Sequence, residues 1–249
     1  MKSLFLVIGT TATLMQPDIT NAAEIKVLST QATEGAYREL VPQFEKATRH
    51  KVTTIFSGTL DVQKRLAAGE SYDMIIMAAP AIDAQIKAGK VVAGSRVDIA
   101  KSGVAVGVPK GAPKPDISTT EALKKTVLAA KSIGYSTGPS GVYVINLFEK
   151  LGVAEQVKDK LKQTPTGVFV GSIIANREVE IGFQQVSELA DFPGVDYVGP
   201  LPAEVQQTTL FSSGIIVGGK EAEAAGALVK FLTSPEAGAA FKKRGMEPG

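Results

Sequence analysis

Short apolar runs alternate with amphipathic stretches along most of the chain. Runs of aliphatic and β-branched residues predict strands at 25–28, 52–56 and 74–78, and the last of these is of the buried type. Each run is followed by a stretch with apolar residues at helical spacing, and the first of these covers 35–47. Pro42 lies inside that stretch and predicts a kink or a restart of the helix. This alternation of strands and helices predicts an α/β protein with a largely parallel sheet.

A second series of elements follows a rigid, proline-rich loop at 109–115. Threonine, proline and glycine residues mark the points where its helices begin and end. The strands predicted here cover 103–108, 133–136, 179–183, 195–198 and 208–217. The predicted helices cover 120–130, 140–151 and 221–232, with a further one marked by Val157 and Leu161 and a last one that begins at Pro235.

The first 23 residues have the pattern of a secretory signal peptide. Lys2 supplies a positive charge, a mostly apolar run covers 4–15, and small residues surround a cleavage position near Ala22 and Ala23. The apolar run is shorter than the roughly 20 residues that a membrane-spanning helix needs. We therefore expect an exported protein, located in a bacterial periplasm or outside the cell.

Composition narrows the chemistry that the chain can perform. It has no cysteine and only one histidine, His50, which lies in a polar, basic segment. Thiolate chemistry, histidine-rich metal sites and most Ser-His-Asp triads are therefore excluded, and we expect neither a metal nor a cofactor. The net charge is +2 and the basic residues are scattered, which argues against nucleic acid and anionic membranes as partners.

Three loops share one design, in which a strand is followed by small polar residues and then by the start of a helix. They are 29–33, 57–59 and 136–141. Helix N-termini offer unpaired N–H groups, small side chains allow close approach, and hydroxyls add donors. For any one loop taken alone, ordinary helix capping is the better explanation. Three such loops at the carboxyl ends of parallel strands predict a crevice that binds an anion.

Several short segments, in this order, resemble exported solute-binding proteins of the molybdate-binding type. They are Ser57-Gly58-Thr59-Leu60, residues 72–78, Ser140-Gly141-Val142-Tyr143 and residues 245–249. The resemblance implies a type II periplasmic binding protein fold of class α/β, with two lobes joined by two crossing strands. One lobe would comprise 24–102 and 203–249, and the other 103–202. It also implies a monomer that delivers a small anionic ligand to an ABC-type membrane permease.

The resemblance and the loops together give ten candidate ligand-binding residues. They are Ser29, Thr30, Ser57, Gly58, Thr59, Ser140, Gly141, Val142, Tyr143 and Gln185. Two positions depart from the molybdate-binding pattern: Ala32 stands where a serine is typical, and Gln185 where a tyrosine is typical. The ligand is therefore expected to be either a molybdate-like oxyanion or a small carboxylate.

An enzyme is the alternative, because the same broad family includes a periplasmic aconitate isomerase. Such a reaction needs a base near the substrate carbon and groups that hold carboxylates. The sequence offers Glu34, Arg65, Lys101 and Tyr143 for these roles. No histidine is placed for proton transfer, so the sequence favours a carrier without turnover.

Overall fold

The computed structural model describes residues 22–249, so the predicted signal peptide lies almost entirely outside the described residues. Ten strands are present within this range. They are β1 (Glu24–Thr30), β2 (Lys51–Ser57), β3 (Met74–Ala78), β4 (Val97–Pro109), β5 (Ile133–Tyr135), β6 (Leu161–Gln163), β7 (Ile181–Gln185), β8 (Val195–Pro200), β9 (Thr208–Ile215) and β10 (Glu247–Pro248).

The same range contains ten α-helices, most of which follow a strand directly. They are α1 (Glu34–Thr48), α2 (Thr59–Ala67), α3 (Ala79–Lys87), α4 (Thr120–Ala129), α5 (Pro139–Lys150), α6 (Ala154–Val157), α7 (Val170–Ala175), α8 (Val186–Leu189), α9 (Ala222–Leu232) and α10 (Pro235–Lys243). None of these described helices has both the length and the apolar composition that crossing a membrane requires.

The strands form two parallel groups joined through antiparallel partners. The strand order is β2-β1-β3-β9-β4-β7-β5-β6, and both β8 and β10 also pair with β4. In the first lobe, β1 pairs in parallel with β2 and β3, and in the second lobe β5 pairs in parallel with β6 and β7. The described residues therefore form the mixed α/β architecture that the sequence predicts.

One long strand, β4, runs from the first lobe into the second. Its residues from Val97 to Gly103 pair with β9, and those from Val104 to Pro109 pair with β7 and β8. The return passage follows Leu201, whose N–H donates to the Val104 carbonyl at 3.0 Å. The two lobes are thus connected twice, at neighbouring points of the sheet.

Each lobe has a hydrophobic core on both faces of its strands. In the first lobe, Tyr37 and Phe44 of α1 lie in one cluster and Val62 of α2 in another. In the second lobe, Phe148 and Phe183 share a cluster, while Ile174 belongs to the opposite one. Because helices cover both faces, β3 is buried at all five positions, which explains its unbroken apolar run.

Two local expectations are wrong, and two short helices were not predicted. Pro42 does not interrupt α1, which continues to Thr48 with the proline exposed on its surface. Leu161 belongs to strand β6 and not to a helix. This edge strand pairs with β5, and its other two residues are polar and exposed, so the sequence has no apolar run that would indicate a strand. The short helices α7 and α8 have too few residues to show helical periodicity in the sequence.

Candidate ligand-binding site

A small, partly enclosed cavity lies between the lobes, where the loops after β1, β2, β5 and β6 meet. Its lining is made mainly of hydroxyl, amide and glycine groups. The first lobe contributes Thr30, Gln31, Ala32, Gly58, Thr59 and Phe211. The second lobe contributes Ser136, Thr137, Gly138, Pro139, Ser140, Gly167, Val168, Gln184, Gln185 and Glu188.

The loop after β2 brings a hydroxyl without a protein partner to this cavity. Gly58 is the N-cap of α2, and a Cβ atom at this position would lie 3.0 Å from Cγ2 of Thr166 in the opposite lobe. The hydroxyl oxygen of Thr59 is buried and forms no hydrogen bond within the protein. A buried polar group without a partner destabilises the protein by about 1–3 kcal/mol, so this hydroxyl is suited to a ligand.

The loop after β5 contributes two buried serines. The hydroxyls of Ser136 and Ser140 lie 3.3 Å apart, and the N–H of Gly138 donates to the Ser136 hydroxyl at 3.2 Å. Pro139 occupies the first position of α5, where no backbone N–H is needed for the helix. Each serine hydroxyl has capacity for a further hydrogen bond toward the cavity.

A fourth loop, after β6, completes the cavity and is not among the three predicted from the sequence. It carries the segment Thr164-Pro165-Thr166-Gly167, which has the same small, polar composition. The preceding strand β6 lacks an apolar run, so nothing in the sequence indicates that a strand leads into this loop. The small polar residues of this loop would have identified it if a preceding apolar strand had not also been required.

Two neighbouring glutamines at the end of β7 are buried in the cavity wall, and their side chains form hydrogen bonds within the protein. The side-chain amide oxygen of Gln184 accepts from the Val170 N–H at 2.8 Å. With the Gln185 amide oriented to satisfy its neighbours, its nitrogen donates to the carbonyls of Ser102 and Gly103, at 2.9 and 3.1 Å. In this orientation Gln185 does not offer its amide hydrogens to a ligand and instead fixes the wall to β4, contrary to our expectation.

Glu188 is the one titratable side chain among the described residues that line the cavity, and sequence analysis did not select it. It is half-buried by surface area, and the surrounding protein raises the pKa of its carboxyl to about 8, mainly through desolvation. Hydrogen bonds from Gln184 and the Gln185 backbone lower this pKa, but by less. The only sequence signal is an acidic residue three positions beyond a buried strand.

Five of the ten predicted residues, Thr30, Gly58, Thr59, Ser140 and Gln185, line the cavity. Two more lie beneath it, with their hydroxyls engaged elsewhere. The Ser29 hydroxyl donates to the Thr30 carbonyl at 3.1 Å, and the Ser57 hydroxyl acts on Asp61. Arg65, and to a smaller extent Ser57, hold the pKa of the Asp61 carboxyl below its usual range. These two serines shape the loops without facing the cavity.

Three predicted residues of α5 do not line the cavity. A Cβ atom on Gly141 would lie 1.7 Å from the Ser136 carbonyl oxygen, so this glycine is required for packing. Val142 is 61% exposed on the outer rim. The Tyr143 hydroxyl donates to the Val205 carbonyl at 2.5 Å, across the return passage between the lobes. Val142 and Tyr143 line a shallow depression beside the cavity.

No basic side chain lines the cavity within residues 22–249. Arg65 pairs instead with Asp61 and Glu70 on the surface of α2. Neither Glu34 nor Lys101 contributes to the lining. The same part of the chain also contains no cluster of three or more groups suited to a metal ion. Neutral hydrogen-bond donors therefore dominate the electrostatics of the site.

Comparison with known proteins finds relatives that match almost the whole chain. The chain is 36% identical over 230 residues to an aconitate isomerase of a Pseudomonas species, which covers 90% of this chain and 87% of that protein. It is 28% identical over 232 residues to the molybdate-binding protein ModA of Azotobacter vinelandii, with 90% of each chain covered.

The solved periplasmic molybdate-binding protein of Azotobacter vinelandii superposes with a TM-score of 0.77 at 19% identity, covering 90% of this chain and 99% of that one. This likeness confirms the predicted two-lobed fold of periplasmic binding proteins. A family model described as bacterial extracellular solute-binding protein matches residues 25–247. The chain therefore belongs to the bacterial extracellular solute-binding protein family.

Proposed function

We propose that this protein binds a small anion in the interlobe cavity. The observation that carries the proposal is the buried Thr59 hydroxyl, which has no partner in the protein and belongs to a residue that lines the cavity. The serines of the loop after β5 and the backbone at the start of α2 add further neutral donors. Neutral donors of this kind stabilise a dehydrated anion without a counter-charge.

The lobes, with bounds 24–102 plus 203–249 and 103–202, close on the ligand in this proposal. Contacts between them support such a closure: the Gln31 amide donates to the Gly167 carbonyl at 2.9 Å. Arg244 also pairs with Asp191 at 3.3 Å, across the same interface. A ligand that contacts both lobes shifts the population toward the closed state. The closed monomer would then deliver the anion to an ABC-type permease.

Export to the periplasm is part of the proposal, and the name of the family supports it. Within the described residues, the first strand begins next to the position where the signal peptide would be removed. The Ala23 carbonyl accepts from the Lys51 N–H at 2.8 Å, and β1 begins at Glu24. Mass spectrometry of periplasmic protein is expected to show a start at Ala23 or Glu24. An intact Met1 in that fraction would contradict export by signal cleavage.

A ligand screen tests the binding proposal. Purified mature protein is heated with molybdate, tungstate, sulfate, citrate and cis- and trans-aconitate, since a ligand that binds only the folded state raises the Tm. We expect at least one of these anions to raise the Tm in a concentration-dependent way. Calorimetric titration of that anion should then give a single site. No shift with any of them would contradict small-anion binding as stated.

Isomerisation of a tricarboxylate is a second candidate function. It is favoured by the 36% identity to a protein named aconitate isomerase and by the presence of Glu188, a carboxyl with a raised pKa, in the cavity. A carboxyl with a pKa near the working pH is suited to accept and return a proton. NMR of cis-aconitate incubated with the protein distinguishes the candidates. Steady conversion to trans-aconitate that Glu188→Gln abolishes would establish an enzyme, whereas binding without conversion would establish a carrier.

A further inference from the structure

Glu188 lines the cavity in which we propose that an anion binds, and a negative charge on its carboxyl would oppose that binding. This glutamate lines the same cavity as Thr59 and Ser140, and no basic side chain among the described lining residues offsets it. A carboxylate and a bound anion in one small, partly dehydrated cavity repel each other strongly. A protonated carboxyl instead offers an O–H donor that resembles the neutral hydroxyls around it.

We infer that Glu188 takes part in binding as a neutral carboxylic acid, whose O–H donates a hydrogen bond to an oxygen of the bound anion. The protein therefore takes up the anion together with a proton when Glu188 is ionised beforehand. This inference rests on the proposed function, because it concerns the same cavity. It adds a specificity-determining residue and makes anion affinity depend on pH.

The surroundings of Glu188 favour the neutral form. Desolvation is the main cause that raises the pKa of its carboxyl to about 8, and the negative charge of Glu34 acts in the same direction. Other charged residues on adjoining elements are Asp98 and Lys101 of β4, Asp196 of β8, and the Arg244–Asp191 pair beyond α8. Asp98 and Lys101 interact with each other, and Glu34 is the charged residue that acts on Glu188.

The affinity for the anion is expected to fall as the pH rises. Below about pH 7 the carboxyl is already protonated, and the anion binds without proton uptake. Above the pKa, binding must first protonate Glu188, so the affinity falls by up to about tenfold for each further pH unit. Any change in the charge of the ligand itself over this range affects wild type and a Glu188→Gln variant alike, so the difference between the two reports the ionisation of Glu188.

Calorimetric titrations of the whole mature protein test the inference, with trans-aconitate and molybdate as probes at about pH 6 and pH 9.5. We expect the Kd of wild type to rise at least tenfold at the higher pH. At about pH 8.5, the apparent binding enthalpy should differ between buffers of different ionisation enthalpy, as proton uptake requires. This second measurement uses wild type alone and does not depend on how well a variant folds.

Two variants complete the test. Glu188→Gln keeps the size and a neutral donor, so its Kd should stay within a few-fold of wild type at pH 6 and no longer change with pH. Glu223→Gln removes a glutamate exposed on α9 and should keep the wild-type pH dependence. A wild-type Kd that is constant between the two pH values overturns the inference and leaves anion binding intact. Loss of binding in Glu188→Gln at pH 6 also overturns it, and absence of binding to wild type at any pH overturns both.

Discussion

The side-chain amide of Gln31 donates to the backbone carbonyl of Gly167 at 2.9 Å, which joins the loop after β1 to the loop after β6. These residues are 136 positions apart in the sequence and belong to opposite lobes. The contact lies at the edge of the cavity, which both residues also line. It therefore stabilises the arrangement in which donors from both lobes face a single ligand.

Replacing Gln31 by alanine should weaken anion binding. One hydrogen bond contributes about 1 kcal/mol, so its loss from the closed state should raise the Kd by about fivefold. The control is Gln43→Ala, which removes a similar amide-to-carbonyl bond, to Glu39, on the exposed face of α1. Calorimetry measures the Kd, and small-angle scattering measures compactness. An affinity loss with unchanged compactness of the ligand-bound variant would show that Gln31 contacts the ligand and does not promote closure.

Replacing Thr59 by valine should reduce affinity and leave the fold intact. Valine keeps the β-branched shape and removes the buried hydroxyl that has no protein partner. Loss of its bond to the anion should raise the Kd by about tenfold, equivalent to 1.4 kcal/mol. The Tm without ligand should stay unchanged or rise, because an unpaired buried group has been removed. Thr233→Val, at an exposed position after α9, should leave the Kd unchanged and lower the Tm slightly, because it removes hydroxyl bonds to the Val229 and Lys230 carbonyls far from the cavity. Unchanged affinity in Thr59→Val would place the ligand elsewhere.

Replacing Gly141 by alanine should destabilise the protein. The added Cβ would overlap the Ser136 carbonyl, which belongs to backbone and cannot rotate away. We expect a loss of about 3 kcal/mol, which corresponds to a fall in Tm of roughly 6–12 °C. Gly226→Ala in α9 is the matched control, since nothing lies within 4 Å of the added atom. That change should stabilise the protein by up to about 1 kcal/mol through helix propensity. Equal Tm values for the two variants would contradict this role of Gly141.

The hydrophobic pattern predicted the strands that carry an apolar or β-branched run, including the half-exposed edge strand β2, and it failed for the short, polar strand β6. Strand β3 is buried throughout and stands out in the sequence, whereas the edge strand β6 carries Lys162 and Gln163 and does not. The pattern therefore predicts two parallel series of elements correctly. It misses the second parallel neighbour of β5, and with it the loop that carries Gly167.

The sequence predicted the cavity-lining residues whose position depends only on the strand and helix on either side of their loop. Thr59 and Ser140 follow strands directly and start helices, so their position near the cavity follows from the topology. Gly141 and Tyr143 share that segment, but close packing against Ser136 and the bond to Val205 decide their roles. Neither contact is visible in a sequence, because each depends on the rotation of α5 about its axis.

The stability of the ligand-free protein should fall as pH rises, because of Glu188. Its pKa is about 8 in the folded state, against an ordinary value of 4.5, so the folded protein binds a proton that the unfolded chain has released. The stability from the neutral carboxyl is complete below about pH 4.5 and is lost progressively as pH rises to about 8. Each 1 kcal/mol lost corresponds to roughly 2–4 °C in Tm for a protein of this size.

Glu188→Gln should remove this part of the pH dependence, because the amide is neutral throughout. Thermal unfolding of wild type, Glu188→Gln and the control Glu223→Gln at about pH 5.5 and pH 8.5 makes the comparison. We expect wild type and Glu223→Gln to lose several degrees more than Glu188→Gln on going to pH 8.5, since only they ionise a carboxyl in the cavity. Parallel losses in all three proteins would mean that solvent reaches the Glu188 carboxylate well enough to stabilise its charge. In that case the carboxyl would not be neutral when an anion arrives, and the pH dependence of binding would have to come from another group.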